Sequence, residues 1–118
     1  EKMAFTYAQL TPITTIASSA GAVYTNPSSK TSYIRNIIVH NTNSTAETVV
    51  LYNVPDNSGS VGTAAATNQF YKTSVAADTT IIFEFPVPGI LLSDTNDTIQ
   101  ATTTTANKVT IQIAGATE

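Results

Sequence analysis

Short apolar runs separated by turn-forming clusters are the feature of this sequence that most limits its fold. Strand-length runs such as Ser32 to His40 and Thr48 to Val54 recur about every ten residues, and helical periodicity is nearly absent. Turn clusters, of which residues 55–59 (Pro-Asp-Asn-Ser-Gly) are the strongest, stop these runs. Because no crossover helices separate the strands, the pairing should be antiparallel. The sequence therefore predicts an all-β fold, a jelly-roll-like antiparallel β-sandwich of about eight strands.

The 118 residues are the length of one domain. Residues 3–118 are predicted to form a single β-sandwich domain, whereas Glu1 and Lys2, which precede Met3, are interpreted as the remnant of an expression tag. Residues 3–18 are uncharged, extended and rich in threonine. We expect them to form either an ordinary first strand at a sheet edge or an arm that adds to a neighbouring molecule's sheet.

The composition favours a subunit of an assembly. Charged residues make up 11% of the chain, against roughly 25% in an average soluble domain. The 22 threonines keep strand faces polar without charge, since threonine is β-branched and suits a pleated strand. A net charge of −3 and five scattered Lys and Arg residues argue against nucleic-acid binding. No apolar run reaches the roughly 18 residues of a membrane span, no secretory signal is recognised, and we expect no membrane partner.

Two strands have apolar residues on both faces. Residues 37–39 (Ile-Ile-Val) and 49–52 (Val-Val-Leu-Tyr) leave no polar side to either strand. Such strands need cover on both faces, and we expect it from a loop, a neighbouring element or another subunit. The candidate interface residues are taken from these two strands: Arg35, Ile37, Val39, Val50 and Tyr52.

The two strands are predicted to form a hairpin, whose turn at residues 41–47 has Asn41, Asn43 and Ser44 able to bond backbone groups locally. A second hairpin is predicted from residues 98–103 and 108–114. Arg35, the only arginine, has two interpretations: it pairs with a carboxylate at the surface, or it anchors a subunit contact.

Residues with catalytic or metal-binding potential are few. His40, the only histidine, lacks a recognisable nucleophile and acid, so we expect a strand-end residue bonded near the turn; a small hydrolase acting through His40 is the alternative. Asp94, Asn96 and Asp97 supply oxygens suited to calcium, but the spacing lacks the fuller ligand set of an EF-hand and favours a plain turn. We therefore expect no enzyme activity, cofactor or metal.

The stretch SYIRNIIVHNTNSTAETVVLYNVP, residues 32–55, resembles a segment of small β-rich virion accessory proteins of tailed bacteriophages. Further matching features are TTIIFEFPVPGILLSDTNDTIQA and KVTIQIAG, so that the resemblance extends over residues 31–115. It implies a structural component of the virion: a capsid decoration or cement protein, a head fibre or a tail-associated part. Such a protein would associate with itself, a trimer being favoured, and attach to capsid or tail proteins. The resemblance implies no catalytic residues.

A carbohydrate- or host-receptor-binding β-sandwich module is the alternative function. Its site would consist of exposed tyrosines and the loop at residues 94–97. The five tyrosines are Tyr7, Tyr24, Tyr33, Tyr52 and Tyr71.

Overall fold

A computed structural model describes residues 6–118, and within this range the chain forms nine β-strands and one short 3-10 helix. The expectations for Glu1 and Lys2, and for the first residues of segment 3–18, lie outside the described residues. The strands are β1 (Thr6–Thr15), β2 (Gly21–Thr25), β3 (Ser32–Asn41), β4 (Glu47–Val54), β5 (Gln69–Val75), β6 (Thr80–Glu84), β7 (Ile90–Leu92), β8 (Thr98–Thr103) and β9 (Val109–Thr117), and the 3-10 helix is Ala66–Asn68. No helix within residues 6–118 is long and apolar enough to cross a membrane.

The strands form two antiparallel sheets packed face to face. Sheet A has the order β1-β9-β3-β6, and β7 pairs with β3 further along the same edge as β6. Sheet B has the order β2-β8-β4-β5. Most successive strands alternate between the two sheets, which is the arrangement of a jelly roll. The predicted antiparallel, jelly-roll-like sandwich is confirmed.

Both predicted hairpins are wrong. Strand β3 pairs with β6, β7 and β9, whereas β4 pairs with β5 and β8, so residues 41–47 connect the two sheets. Strands β8 and β9 also lie in different sheets. A hairpin turn and a turn between sheets use the same residue types, and therefore the local sequence does not distinguish them.

The turn at residues 41–47 is held by two of the three side chains that the sequence singled out, those of Asn41 and Asn43. The Asn41 amide donates to the carbonyls of Thr45 and Val75, both at 3.0 Å, and its oxygen accepts the backbone N–H of Asn43 at 2.9 Å. The Asn43 oxygen accepts the backbone N–H of Ser44 at 2.8 Å. The prediction of local side-chain to backbone bonds is confirmed for Asn41 and Asn43, whereas Ser44 contributes its backbone N–H; the bonds stabilise a crossing between sheets.

The core fills the space between the sheets with aliphatic side chains from both. Its fully buried members include Ile34, Ile37, Val39, Val49, Leu51, Ile99, Ile111 and Ile113. At one edge, Tyr71 of β5 packs edge-to-face on Phe83 of β6, with ring centroids 4.3 Å apart. This contact joins the two sheets where neither has a further strand.

A loop of the same chain covers part of the outer face of sheet B. On that face Val50 is only 7% exposed and Val54 only 2%. The loop at residues 55–68 lies against Val54 and Gln100: Gln100 Nε2 donates to the Gly62 carbonyl at 3.0 Å, and a Cβ at Gly62 would lie 3.0 Å from Val54 Cγ1. At its Val54 end the second face of β4 is therefore covered by a loop, one of the three sources expected.

The described part of segment 3–18 is an edge strand of its own sheet. Strand β1 pairs with β9 from Thr6, opposite Thr117, to Thr15, opposite Thr110. Its register shifts between Gln9 and Thr11 and again between Thr11 and Thr14. Of the two alternatives, an ordinary first strand or an arm, residues 6–15 form a first strand paired with β9 of the same chain.

Candidate binding surface on sheet A

The outer face of sheet A, turned away from sheet B, carries side chains in cross-strand rows. The pairing of β7, β3, β9 and β1 places successive partners in one row, and the pairing of β6, β3 and β9 supplies two more. The rows are Leu91–Tyr33–Ala116–Tyr7, Glu84–Asn36–Ala114–Gln9 and Ile82–Ile38–Gln112.

This face carries large apolar side chains beside polar ones, and several of the apolar side chains are exposed within residues 6–118. Tyr7 and Val87, the latter in the β6–β7 connection, are each 76% exposed, Ile82 is 61% exposed and Leu91 is 49% exposed. Ile38, the cross-strand partner of Ile82, is half-buried. Large exposed apolar side chains grouped on one face are typical of surfaces that contact another protein. In sheet B the loop at residues 55–68 covers the equivalent face at Val54 and Gln100, while Phe70 and Lys72 of β5 stay exposed.

A β-bulge at Arg35 interrupts this face. Opposite β9, Ile34 pairs with Gly115 and Asn36 pairs with Ala114, so Arg35 is the extra residue between two successive pairs. The bulge changes which residues point inward: Ile34 is buried before it and Ile37 after it, three residues apart. A bulge redirects side chains in this way, and here Arg35 and Asn36 both line depressions on the outer face.

Two glycines make room for the bulge. A Cβ at Gly115 would lie 2.0 Å from the Tyr33 carbonyl oxygen, and a Cβ at Gly89 would lie 2.1 Å from the Ile34 carbonyl oxygen and 3.1 Å from Arg35 Cδ. Gly89 also has φ of +90°, which favours glycine. A glycine inside or beside a strand indicates a bulge or a close backbone approach. These two residues are the signal that could have located the bulge from the sequence.

Arg35 is the centre of the surface. It lies in the wall of three depressions, of about 150, 430 and 350 Å³. Its Nε donates to the Phe85 carbonyl at 3.3 Å. No carboxylate within residues 6–118 forms an ion pair with it, even though Glu84 lines the 430 Å³ depression with it. The predicted surface ion pair is therefore absent from the described part of the chain.

Tyr33 is fixed beside Arg35 by the end of the chain. Its hydroxyl donates to Oε1 of Glu118. The hydrogen bond to the Glu118 carboxylate, with smaller contributions from burial and from the charge of Glu118, raises the pKa of Tyr33 above its ordinary value. The phenol therefore remains protonated and neutral at physiological pH.

The five candidate interface residues do not lie on one surface. Ile37 and Val39 are fully buried between the sheets, so their side chains do not reach the surface. Val50 and Tyr52 lie on the outer face of sheet B, where Val50 is buried. Only Arg35 lies on the outer face of sheet A. The sequence analysis assumed a hairpin and an uninterrupted alternation, and the turn between sheets and the bulge separate these residues.

His40 lies near the C-terminal end of β3. Its Nδ1 lies 2.8 Å from Thr80 Oγ1, across the strand pair, and its ring has no other hydrogen bond within residues 6–118. The expectation of a hydrogen-bonded strand-end histidine is confirmed.

Three carboxylates lie close together in the turn that follows β4 and the turn that precedes β8. Oxygens of Asp56, Asp94 and Asp97 all lie within 4.8 Å of one another. Asp97 is buried, and its two oxygens accept the backbone N–H groups of Asp56 at 2.9 Å and Asp94 at 3.0 Å. The Asn96 amide donates to the Gly59 carbonyl at 2.7 Å. These bonds join the predicted turn at residues 94–97 to the turn at residues 55–59.

Comparison with known proteins returns no protein-family model, no curated protein and no solved structure that matches the chain. The jelly roll itself occurs in capsid and lectin domains alike, and so the fold does not define a function. The surface of sheet A is the more informative feature.

Proposed function

We propose that this chain is a non-enzymatic structural protein of a bacteriophage virion, which binds copies of itself and attaches to the capsid or to another part of the particle. The observation that carries the proposal is the set of exposed apolar side chains on the outer face of sheet A, among them Tyr7 and Ile82. Covering such a face with another protein removes apolar surface from water, at roughly 25 cal/mol per Å².

Two further observations support the virion setting. The stretch at residues 32–55 resembles segments of virion accessory proteins, and the jelly roll is common among viral capsid proteins. The charged fraction of 11% lowers the cost of desolvating the surface on assembly. Decoration or cement of the capsid is the attachment that we favour.

Mass measurement and co-sedimentation with phage particles test the proposal. The wild-type chain should form a complex with itself and should sediment with particles that lack it. Ile82→Asp places a charge in the apolar face and should weaken both, whereas Val61→Asp, on the loop covering sheet B, is the matched control. A strictly monomeric chain without affinity for particles would contradict the proposal.

A carbohydrate- or receptor-binding module is the second candidate. Tyr7 and Tyr33 line the 150 Å³ depression with Arg35, so that aromatic and cationic groups converge there. The other tyrosines do not join them: the Tyr24 hydroxyl bonds Ser32 Oγ at 2.7 Å, and Tyr71 packs on Phe83. A glycan array with and without calcium tests this function, and binding that Tyr7→Ala abolishes would favour it.

A further inference from the structure

We infer that the outer face of sheet A packs against the same face of a second copy of this chain, with Arg35 of each copy paired with Glu84 of the other. The inference rests on the self-association proposed above and deepens it, because it names the surface and the residues that meet. It also predicts a pair, where the sequence analysis favoured a trimer.

Arg35 and Glu84, which both lie on this face, form no ion pair within the described part of the chain. Arg35 is half-buried, and its guanidinium donates through Nε to the Phe85 carbonyl at 3.3 Å. Glu84 is exposed on β6, next to Asn36 of β3, and has no ionic partner within residues 6–118. Both charges line one depression without forming an ion pair. Each is therefore available to an opposite charge from outside the chain.

The apolar side chains around these charges define what can cover them. Ile82 lies two residues from Glu84 on the same face, and Leu91 and Tyr7 lie in the next row beyond Arg35. A partner must then offer apolar surface together with one positive and one negative group. The same face of another copy offers this combination.

A two-fold axis makes the pairing reciprocal. In a two-fold contact the same patch meets itself, so residue i of one copy meets residue j of the other and j meets i. The Glu118 carboxylate already accepts the Tyr33 hydroxyl, so Arg35 and Glu84 are the charges that this geometry pairs, and two salt bridges form at once. A standard contact buries about 800 Å² on each partner, about an eighth of the 6275 Å² surface of this chain.

Charge reversal tests the pairing directly. Arg35→Glu puts negative charges at both paired positions, 35 and 84, and Glu84→Arg puts positive charges at both, so each variant alone should dissociate at least tenfold more readily than wild type. Mixed in equal amounts, the two variants should form a one-to-one pair of wild-type mass, because every charge again meets its opposite. Native mass spectrometry and sedimentation velocity resolve the species. Lys72→Glu, an exposed reversal on sheet B, should leave the wild-type pair intact.

The mixed sample separates a contact between chains from an effect within one chain. Circular dichroism of each variant confirms folding, and Glu84→Arg, at an exposed position, keeps the test valid if Arg35→Glu fails to fold. A wild-type pair that neither reversal weakens, variants that do not pair when mixed, or a wild-type trimer would each overturn the inference while leaving self-association in place. A wild-type monomer would instead overturn the self-association itself.

Discussion

Replacing Glu47 by glutamine should lower the free energy of unfolding by about 2–4 kcal/mol at pH 7. Glu47 begins β4 and is only 2% exposed. Its Oε2 accepts the Asn43 amide at 2.8 Å and its Oε1 accepts the backbone N–H of Thr105 at 2.7 Å. The carboxylate thus ties the β3–β4 turn to the β8–β9 turn.

The magnitude comes from these two bonds. A hydrogen bond to a charged group contributes about 1.5–3 kcal/mol, and a buried group left without its partner costs about 1–3 kcal/mol. Glutamine has one acceptor and one donor where the glutamate has two acceptors, so one bond is lost and the other becomes neutral.

The effect should depend on pH. Burial alone acts to raise the pKa of Glu47, but the hydrogen bonds from Asn43 and Thr105 and the charge of Lys108 outweigh it, so the pKa lies below its ordinary value of 4.5. Because the folded pKa is lower than the unfolded one, the stabilisation is complete above the unfolded value and is lost as the pH falls through the folded value. Wild type and Glu47→Gln should therefore converge in stability at low pH.

Urea unfolding at pH 7 and at pH 3, followed by circular dichroism, measures both quantities. Asp78→Asn is the matched control, since it converts an exposed carboxylate to an amide at a turn position with φ of +54°, which asparagine tolerates. A loss for Glu47→Gln that is the same at both pH values would refute the role assigned to the carboxylate.

Two further predictions concern the bulge and the acidic cluster. Gly115→Ala should lower the free energy of unfolding by about 3 kcal/mol, because its Cβ would lie 2.0 Å from the Tyr33 carbonyl oxygen. Gly21→Ala is the control, since its Cβ meets nothing within 4 Å, and it should change stability by less than about 1 kcal/mol. Thermal melting compares the two variants. Asp97→Asn should lower the free energy of unfolding by about 1–3 kcal/mol, because one hydrogen bond to a backbone N–H is lost. Calcium chloride should not shift the wild-type melting temperature, since both Asp97 oxygens already accept N–H groups. A rise in the melting temperature with calcium would indicate a metal site.

The strands were predictable because their signals are local. The alternation of Val109, Ile111 and Ile113 places one face of β9 in the core, and the structure buries all three. Pairing was less predictable, because the turn chemistry of Asn41 and Asn43 suits a hairpin and a crossing between sheets equally well. The partner of Glu47 at Thr105 is 58 residues away in the chain, and no local pattern indicates it.

The binding surface was predictable only in part. The sequence showed that β3 is apolar on both sides and that Arg35 interrupts it. It did not show that the bulge at Arg35 moves Ile37 and Val39 into the core. Gly89 and Gly115 indicate a close backbone approach, but the sequence does not reveal which strand approaches them. In the structure it is β3.

The position of β9 has a consequence for how the chain is made. Strand β9 lies between β1 and β3, and it is the last of the nine strands in chain order. During synthesis β1 has no sheet to join, and one edge of β3 stays open, until residues 109–117 leave the ribosome. Unpaired edges of this kind expose a growing chain to aggregation. The threonine hydroxyls of the uncharged β1 keep this strand hydrated, and so lower its tendency to aggregate, while its partner is still being translated.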